Sequence, residues 1–427
     1  MKRAVITGLG FISSIGNDRA SVLASLRALR HGFEKVTWLG NPRVASKVLG
    51  TVKGFQTESH GWRDWRWPAG YNFTAETLRS LPPHGLYALC ACEQAIADAK
   101  LGAEDVSNHD MGLFTASAGS PFMLHQHLSQ MHQARGERGN PMGVVSSISG
   151  TLNFNLATYF KIQGAVCGFV SACSSSSHAL GYALDEIRLG RQKRMMIVGA
   201  EEPHAESILP FGGMRVLSVN PDPNSASRPF DQRRDGFVGT GGAVALILED
   251  LECASERGVP VYAELAGWGQ ASDGYNVAIS HPEGRGLAEA MRRALKDSGS
   301  TAGAVDYINA HATSTQIGDK SEISAIRAVF DGQSAQTKIS STKALTGHGL
   351  SMSGALETAI CALSIREGII PGCAHLEELD PAFEGLNFPR ETLHQAPHVV
   401  MNNSSGFGGS NVCLVLKGGC KEDRIEE

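Results

Sequence analysis

No uninterrupted apolar run in the 427-residue chain approaches the ~20 residues that cross a bilayer, so no membrane-spanning helix is expected. An excess of basic charge is missing too. The 38 Lys and Arg face 43 Asp and Glu, and a net charge of −5 argues against a general nucleic-acid binder. None of the nine cysteines forms a C-x-x-C set: Cys90, Cys92, Cys167, Cys173, Cys253, Cys361, Cys373, Cys413 and Cys420 are scattered and odd in number. That pattern suggests neither a zinc site nor a disulfide framework, and it fits free thiols in the reducing cytosol. Met1 to Gly10 lacks the basic start and apolar core of a secretory signal. Gly239-Thr-Gly-Gly242 lacks the lysine that a phosphate-cradling loop requires, and no dinucleotide fingerprint is complete, so no nucleotide is expected.

What remains is an ordinary globular composition, 42% hydrophobic and 19% charged, too long for one small core. The chain is organised around Val166-Cys-Gly-Phe-Val-Ser-Ala-Cys173. Val166 to Ser171 reads as a buried strand, and Ser174 to Leu189 as a helix with Leu180, Leu184 and Ile187 at its spacing. Cys173 therefore falls where strand becomes helix. Free amides and a partial positive charge at such a terminus favour a thiolate and a nearby oxyanion. A small packed thiol fits the same stretch equally well. Two further segments repeat the layout: Asp306-Tyr-Ile-Asn-Ala-His311-Ala-Thr-Ser-Thr315 ends a strand on a histidine, and Ile339-Ser-Ser-Thr-Lys343-Ala-Leu-Thr-Gly-His348 on a lysine and a second histidine. Strand ends are where open α/β sheets build sites.

Elsewhere Arg3 to Ile6 reads as a first strand ending in a glycine turn, with a helix over Ser21 to Leu29. His31 to Leu81 reads as a loop-rich excursion whose Trp38, Trp62, Trp65 and Trp67 pack on the body or line a partner surface. Leu86 to Lys100 is helical, Met111 to Thr115 a buried strand, and Met123 to Arg138 a polar cap over a pocket or a dimer contact. Two stretches, Cys173 to Gly190 and Gly349 to Gly368, share the plan small-residue turn, helix, then Ile-Arg-Leu-Gly or Ile-Arg-Glu-Gly, each followed later by an apolar strand. This internal repeat points to two halves, 1–252 and 253–427, with a continuous core.

In this order, Cys173, His311, Lys343, His348 and the ending Asn403-Ser-Ser-Gly-Phe-Gly-Gly-Ser-Asn411 resemble the β-ketoacyl-[acyl-carrier-protein] synthases of the thiolase-like superfamily. Matching blocks run from Arg3-Ala-Val-Ile-Thr-Gly-Leu-Gly10 through Glu93-Gln-Ala-Ile-Ala-Asp-Ala99, Arg228-Pro-Phe-Asp-Gln-Arg-Arg-Asp-Gly-Phe237 and Leu345-Thr-Gly-His348. The resemblance implies an α/β fold of two duplicated βαβαβαββ halves in a five-layered αβαβα sandwich. It also implies a condensing enzyme that extends a carrier-bound acyl chain by two carbons from malonyl thioester, releasing carbon dioxide.

By that resemblance Cys173 holds the acyl chain, and a thiolate serves as both nucleophile and leaving group toward thioesters. His311 and His348 stabilise the enolate left by decarboxylation. The amides of Cys173 and Phe407 form the oxyanion hole, and Phe407 also reads as a gate or as a core aromatic. Lys343 and Glu322 are expected to pair and orient the histidines. Thr313, Thr315, Gly406 and Gly408 receive the phosphopantetheine arm. No metal or separate cofactor is implied, because that arm belongs to the substrate. The partners are acyl carrier protein with its malonyl and acyl thioesters, and a second subunit, in a homodimer or a heterodimer. Two departures stand out: Ser405 lies where the family usually has phenylalanine, and the glycine-rich turn near 118 is shorter than usual. A biosynthetic thiolase is the nearest alternative enzyme, and a non-catalytic chain-length subunit the alternative of another class.

Overall fold

The computed structural model describes residues 1–330, 332 and 336–419; Cys420 lies outside them. Apolar runs form β1 (Ala4–Ile12), β2 (Phe33–Lys35), β3 (Val48–Gly50), β4 (Met111–Ala116), β5 (Val166–Phe169) and β6 (Arg194–Glu201). They continue as β7 (Gly242–Asp250), β8 (Ala263–Ser272), β9 (Tyr307–Asn309), β10 (Lys338–Ser340), β11 (Val399–Gly406) and β12 (Ser410–Lys417). Ten of them follow the order β10-β9-β11-β12-β8-β1-β7-β6-β4-β5, while β2 and β3 make a separate ribbon.

That order contains one plan twice. Taking β1, β4, β5, β6 and β7 as strands one to five gives the order 1-5-4-2-3, and β8 to β12 give the same order. The directions repeat as well. The first, fifth and fourth strands run antiparallel in turn, and the fourth, second and third run parallel. Between β1 and β8 the two halves meet through Val5 with Glu264 and Ile6 with Ala263.

Alternating burial builds the layers. On β6, Met195 and Ile197 face a central cluster while Met196, Val198 and Ala200 face an outer one; on β7, Val244 and Leu246 face the centre and Ala245 and Ile247 the outside. In the other half Val412 and Leu414 turn inward, and Cys413 and Val415 outward. The Pro83–Asp98 helix covers the first outer face, and the Arg285–Asp297 and Gln316–Phe330 helices cover the second. Between the two five-stranded halves of the sheet lie the Ser175–Arg188 and Ser353–Glu367 helices, the two that the repeat pointed to. Every residue from Ser353 to Ile365 is buried, as a helix with sheet on both sides requires. The helices cross at Gly354, where a Cβ would meet Ser177 Oγ at 2.1 Å.

Three expectations need correction. The first strand does not stop at a glycine turn, because β1 runs on through Gly8 and Gly10. The Pro83–Asp98 helix lies flat on them, so a Cβ on Gly10 would meet Ala91 O at 1.9 Å. The strand leading to Cys173 is not buried: β5 is the edge of the sheet, with Val166 41% and Val170 68% exposed. The tryptophan tract is less irregular than its sequence, since it contains β2, β3 and three short helical turns. Its tryptophans pack inward, with Trp65 buried and Trp62 and Trp67 against the outer cluster.

Candidate active site

A ladder of serines positions Cys173. Ser174 Oγ donates to Ser171 O at 2.7 Å, Ser175 Oγ donates to Ala172 O at 2.6 Å, and Ser171 N donates to Ser175 Oγ at 2.8 Å. These short loops compete with regular structure and hold a tight bend in which Ala172 takes a left-handed φ of 52°. Cys173 follows, two residues ahead of the helix that starts at Ser175. The end of β11 passes directly against this bend. A Cβ on Gly406 would meet Ser171 O at 2.7 Å and Cys173 N at 3.1 Å, which brings residue 407 beside Cys173.

His348 Nε2 lies 3.1 Å from Cys173 Sγ, and its Nδ1 lies 3.0 Å from Ser353 Oγ. With the Ser353 hydroxyl donating to Nδ1, the proton sits on Nε2 and points at the sulfur. The His311 ring meets His348 edge-on, centroids 5.5 Å apart at 85°. The three distant segments thus converge on one point. Burial drives both imidazoles well below their ordinary 6.5, and the Lys343 ammonium pushes the same way, so both are neutral donors at neutral pH. Burial pushes the Cys173 thiol up to about 12, with the Lys343 charge opposing it. The resting group is therefore a thiol, where position ahead of a helix alone suggested a thiolate.

Lys343 is fully buried and pairs with Glu357, not with Glu322. The glutamate comes from the central helix, 14 residues on, where sequence shows nothing but an acid in an apolar helix. Glu322 has another task. Its Oε1 accepts from His311 N at 2.9 Å and from Asn403 Nδ2 at 3.0 Å, and its Oε2 accepts from Ala312 N at 2.7 Å. It fixes the backbone that carries His311. Burial pushes Glu357 up to about 7 against the pull of Lys343, and it raises Glu322 as well.

These groups open on a cavity of about 560 Å³ whose wall includes Cys173, His311, His348, Glu322, Thr313, Thr315, Gly406 and Phe407. Thr313 Oγ1 and Thr315 Oγ1 stand 3.1 Å apart. Gly409, not Gly408, shares the wall; Gly408 N is occupied by Val277 O at 2.7 Å, and its φ of 73° suits glycine. Phe407 is 40% exposed, so it lines the mouth and is no core aromatic. Ser405 lines the cavity too, and its Oγ donates to Asn411 Oδ1 at 2.7 Å.

Sequence reading missed Phe211 and Phe237. Phe211 lies 6.0 Å from Phe407 and 5.5 Å from Phe237, whose ring meets His348 at 5.1 Å and 88°. Isolated phenylalanines carry no signal of this. Glu201 also went unassigned. Fully buried at the end of β6, it accepts from Ala118 N at 3.0 Å and from the Ser351 hydroxyl, so it ties the turn after β4 to the turn after His348. Burial pushes it up to about 7. Among the described residues no cluster of three or more His, Cys, Asp or Glu is arranged to hold a metal ion, and no helix is long and apolar enough to cross a membrane.

Comparison with known proteins matches residues 1–254 to the β-ketoacyl synthase N-terminal domain and residues 262–377 to the β-ketoacyl synthase C-terminal domain. The chain is 39% identical over 422 residues to 3-oxoacyl-[acyl-carrier-protein] synthase 1 of Escherichia coli K12, covering 98% of this chain and 99% of that one. It is 38% identical over 425 residues to the Haemophilus influenzae protein of the same name, at the same coverage. Among solved structures, a β-ketoacyl synthase from Burkholderia phymatum superposes with a TM-score of 0.90 at 31% identity, over 98% of this chain and all of the other. The ishigamide ketosynthase/chain length factor superposes at 0.87 and 28%, over 98% of this chain and 99% of that one.

Proposed function

The chain belongs to the β-ketoacyl synthase family, and from that membership we propose that it is a 3-oxoacyl-[acyl-carrier-protein] synthase using Cys173, His311 and His348. The observation that carries the residue roles is the meeting of a thiol and two neutral imidazoles in the wall of one cavity.

In the first step the Cys173 sulfur attacks the acyl thioester and the carrier's thiol leaves with the proton. The amides of Cys173 and Phe407 receive the tetrahedral oxyanion, and Gly406 keeps the two backbones close enough to share it. In the second step malonyl carrier protein enters, its carboxylate departs as carbon dioxide, and the enolate oxygen meets the Nε2 hydrogens of His311 and His348. The new carbanion attacks the acyl carbonyl on Cys173, and the thiolate is expelled. Because both imidazoles are held neutral, the oxygen meets donors with no counter-ion, in a site whose burial strengthens each bond. Lys343 with Glu357, and Glu322 with the backbone at 311 and 312, hold those donors in place. Thr313 and Thr315 hydrogen-bond the phosphopantetheine arm, which is the only prosthetic group the reaction needs and which the carrier supplies.

The second subunit is a copy of this chain, docked along β5. An unpaired edge strand flanked by Val170 at 68% and Phe154 at 45% exposure supports that assignment. The intact nucleophile favours an active subunit over a silent one, and the cytosol is its compartment. Single-turnover mixing with labelled acyl carrier protein tests the reading: label should pass to Cys173 and not to a Cys173→Ala protein. No transfer to well-folded wild type overturns it. Sedimentation of the protein alone should give a dimer, and a monomer would leave the edge to a related but different chain.

A further inference from the structure

The block Arg228 to Phe237 contributes Asp235, Gly236 and Phe237 to the cavity wall, yet the chemistry above uses none of its charged side chains. Several of its buried atoms meet at the turn that carries Thr313 and Thr315. Residues two apart on a strand stand about 6–7 Å from one another. Here the two threonine hydroxyl oxygens are 3.1 Å apart, because Ser314 between them is bent into the left-handed region at φ 68°. Serine adopts that conformation at a cost, so something must hold it there.

Most of the holding bonds come from the block, and Asp319 adds to them, its backbone N donating to Thr315 O at 3.3 Å. Arg228 N donates to Ser314 Oγ at 3.1 Å, and Gly236 N donates to Ser314 O at 2.9 Å, so the strained residue is gripped by side chain and by main chain. Arg234 reaches the next two carbonyls, its Nε donating to Thr315 O and its Nη2 to Gln316 O, both at 3.2 Å. Gln316 Nε2 donates back to Arg234 O at 2.5 Å. Arg234 is itself almost fully buried and fixed from behind by Asp380 at 2.8 Å, with its guanidinium 4.9 Å from the Phe383 ring. Gly318 leaves the space that Thr315 Oγ1 occupies, since a Cβ there would lie 2.5 Å from it.

We infer that Arg234 and Ser314 are positioning residues for carrier-arm binding, acting by clamping the 313–316 turn so that the two threonine hydroxyls form one paired recognition point. This rests on the proposed role of Thr313 and Thr315. A clamp of this kind governs capture of the arm and leaves the sulfur and the imidazoles untouched.

Full-length Ser314→Ala, Arg234→Lys and Thr313→Ala proteins are compared with wild type in condensation kinetics and in alkylation of Cys173 by iodoacetamide. Ser314→Ala and Arg234→Lys should each raise KM for malonyl carrier protein about fivefold, the equivalent of one lost hydrogen bond, with kcat within twofold and alkylation at the wild-type rate. Ser314→Gly, which keeps the left-handed backbone without the hydroxyl, gives the same reading should Arg234→Lys fold poorly. The inference is overturned if KM stays at the wild-type value, or if kcat and alkylation fall together as they would from general unfolding. Thr313→Ala separates the two levels. A raised KM there with unchanged Ser314→Ala sinks the clamp alone, whereas an unchanged KM for Thr313→Ala sinks the threonine role as well.

Discussion

At the scale of single residues the site works by burial. Cys173 is pushed up to about 12, so its reaction with iodoacetamide should climb steadily from pH 7 to pH 10 without a plateau. A plateau near pH 8 would show that the helix terminus outweighs desolvation. The two imidazoles shift the opposite way. Their protonation lies well below 6.5, so acid should not depress the decarboxylation rate between pH 7.5 and 6.5. A loss of rate centred on pH 6.5 would mean that His311 and His348 are not the buried neutral donors described. Lys343 depends on Glu357 in the same way. Glu357→Ala strands a buried ammonium and should cost about 3–5 kcal/mol in urea unfolding. Glu322→Ala leaves the Lys343 pair intact, so the two variants together show which carboxylate the lysine needs.

At the scale of elements the glycine-rich strand end matters more than its composition suggests. Gly406 packs against the backbone of Ser171 and Cys173, so Gly406→Ala forces one of two main chains to move. Such overpacking typically costs about 1–3 kcal/mol. Acylation of Cys173 should slow more than tenfold while the thermal midpoint changes by only a few degrees; wild-type acylation would show that the oxyanion hole is built elsewhere. The other exposed element is β5. Its apolar sequence reads as a buried strand, but it is the last strand of its sheet, and under the proposed dimer a second copy covers it. Val170→Asp should shift the protein toward monomer in sedimentation, and an unchanged dimer would place the subunit contact on another face.

For the whole molecule, the duplication sets the behaviour. The central cluster draws residues from Ala4 to Leu416 and includes one helix from each half, so neither half owns a complete core. A chain ending at residue 252 exposes the face of the Ser175–Arg188 helix that Ser353–Glu367 covers. It should be insoluble or unfolded by circular dichroism, and a stable, cooperatively melting half would refute the shared core. Cys173 belongs to one half, and His311, Lys343 and His348 belong to the other. The site exists only where the repeats meet.

Much of this was legible in the chain itself. Periodicity and the repeated small-residue turns located the two central helices and the duplicated halves, because burial on both sides demands apolar and small residues throughout. The order of Cys173, His311, Lys343 and His348, with the glycine-rich ending, carried the resemblance to the β-ketoacyl synthases, the family to which the chain belongs. Tertiary structure alone decided the pairings: Glu357 for Lys343, Glu322 for the His311 backbone, and Arg234 for the threonine turn. It also decided that β5 is an edge and that β1 continues through two glycines. Each of these depends on which backbone lies within a few ångströms of another segment far away in sequence, and local propensity carries no record of such distances.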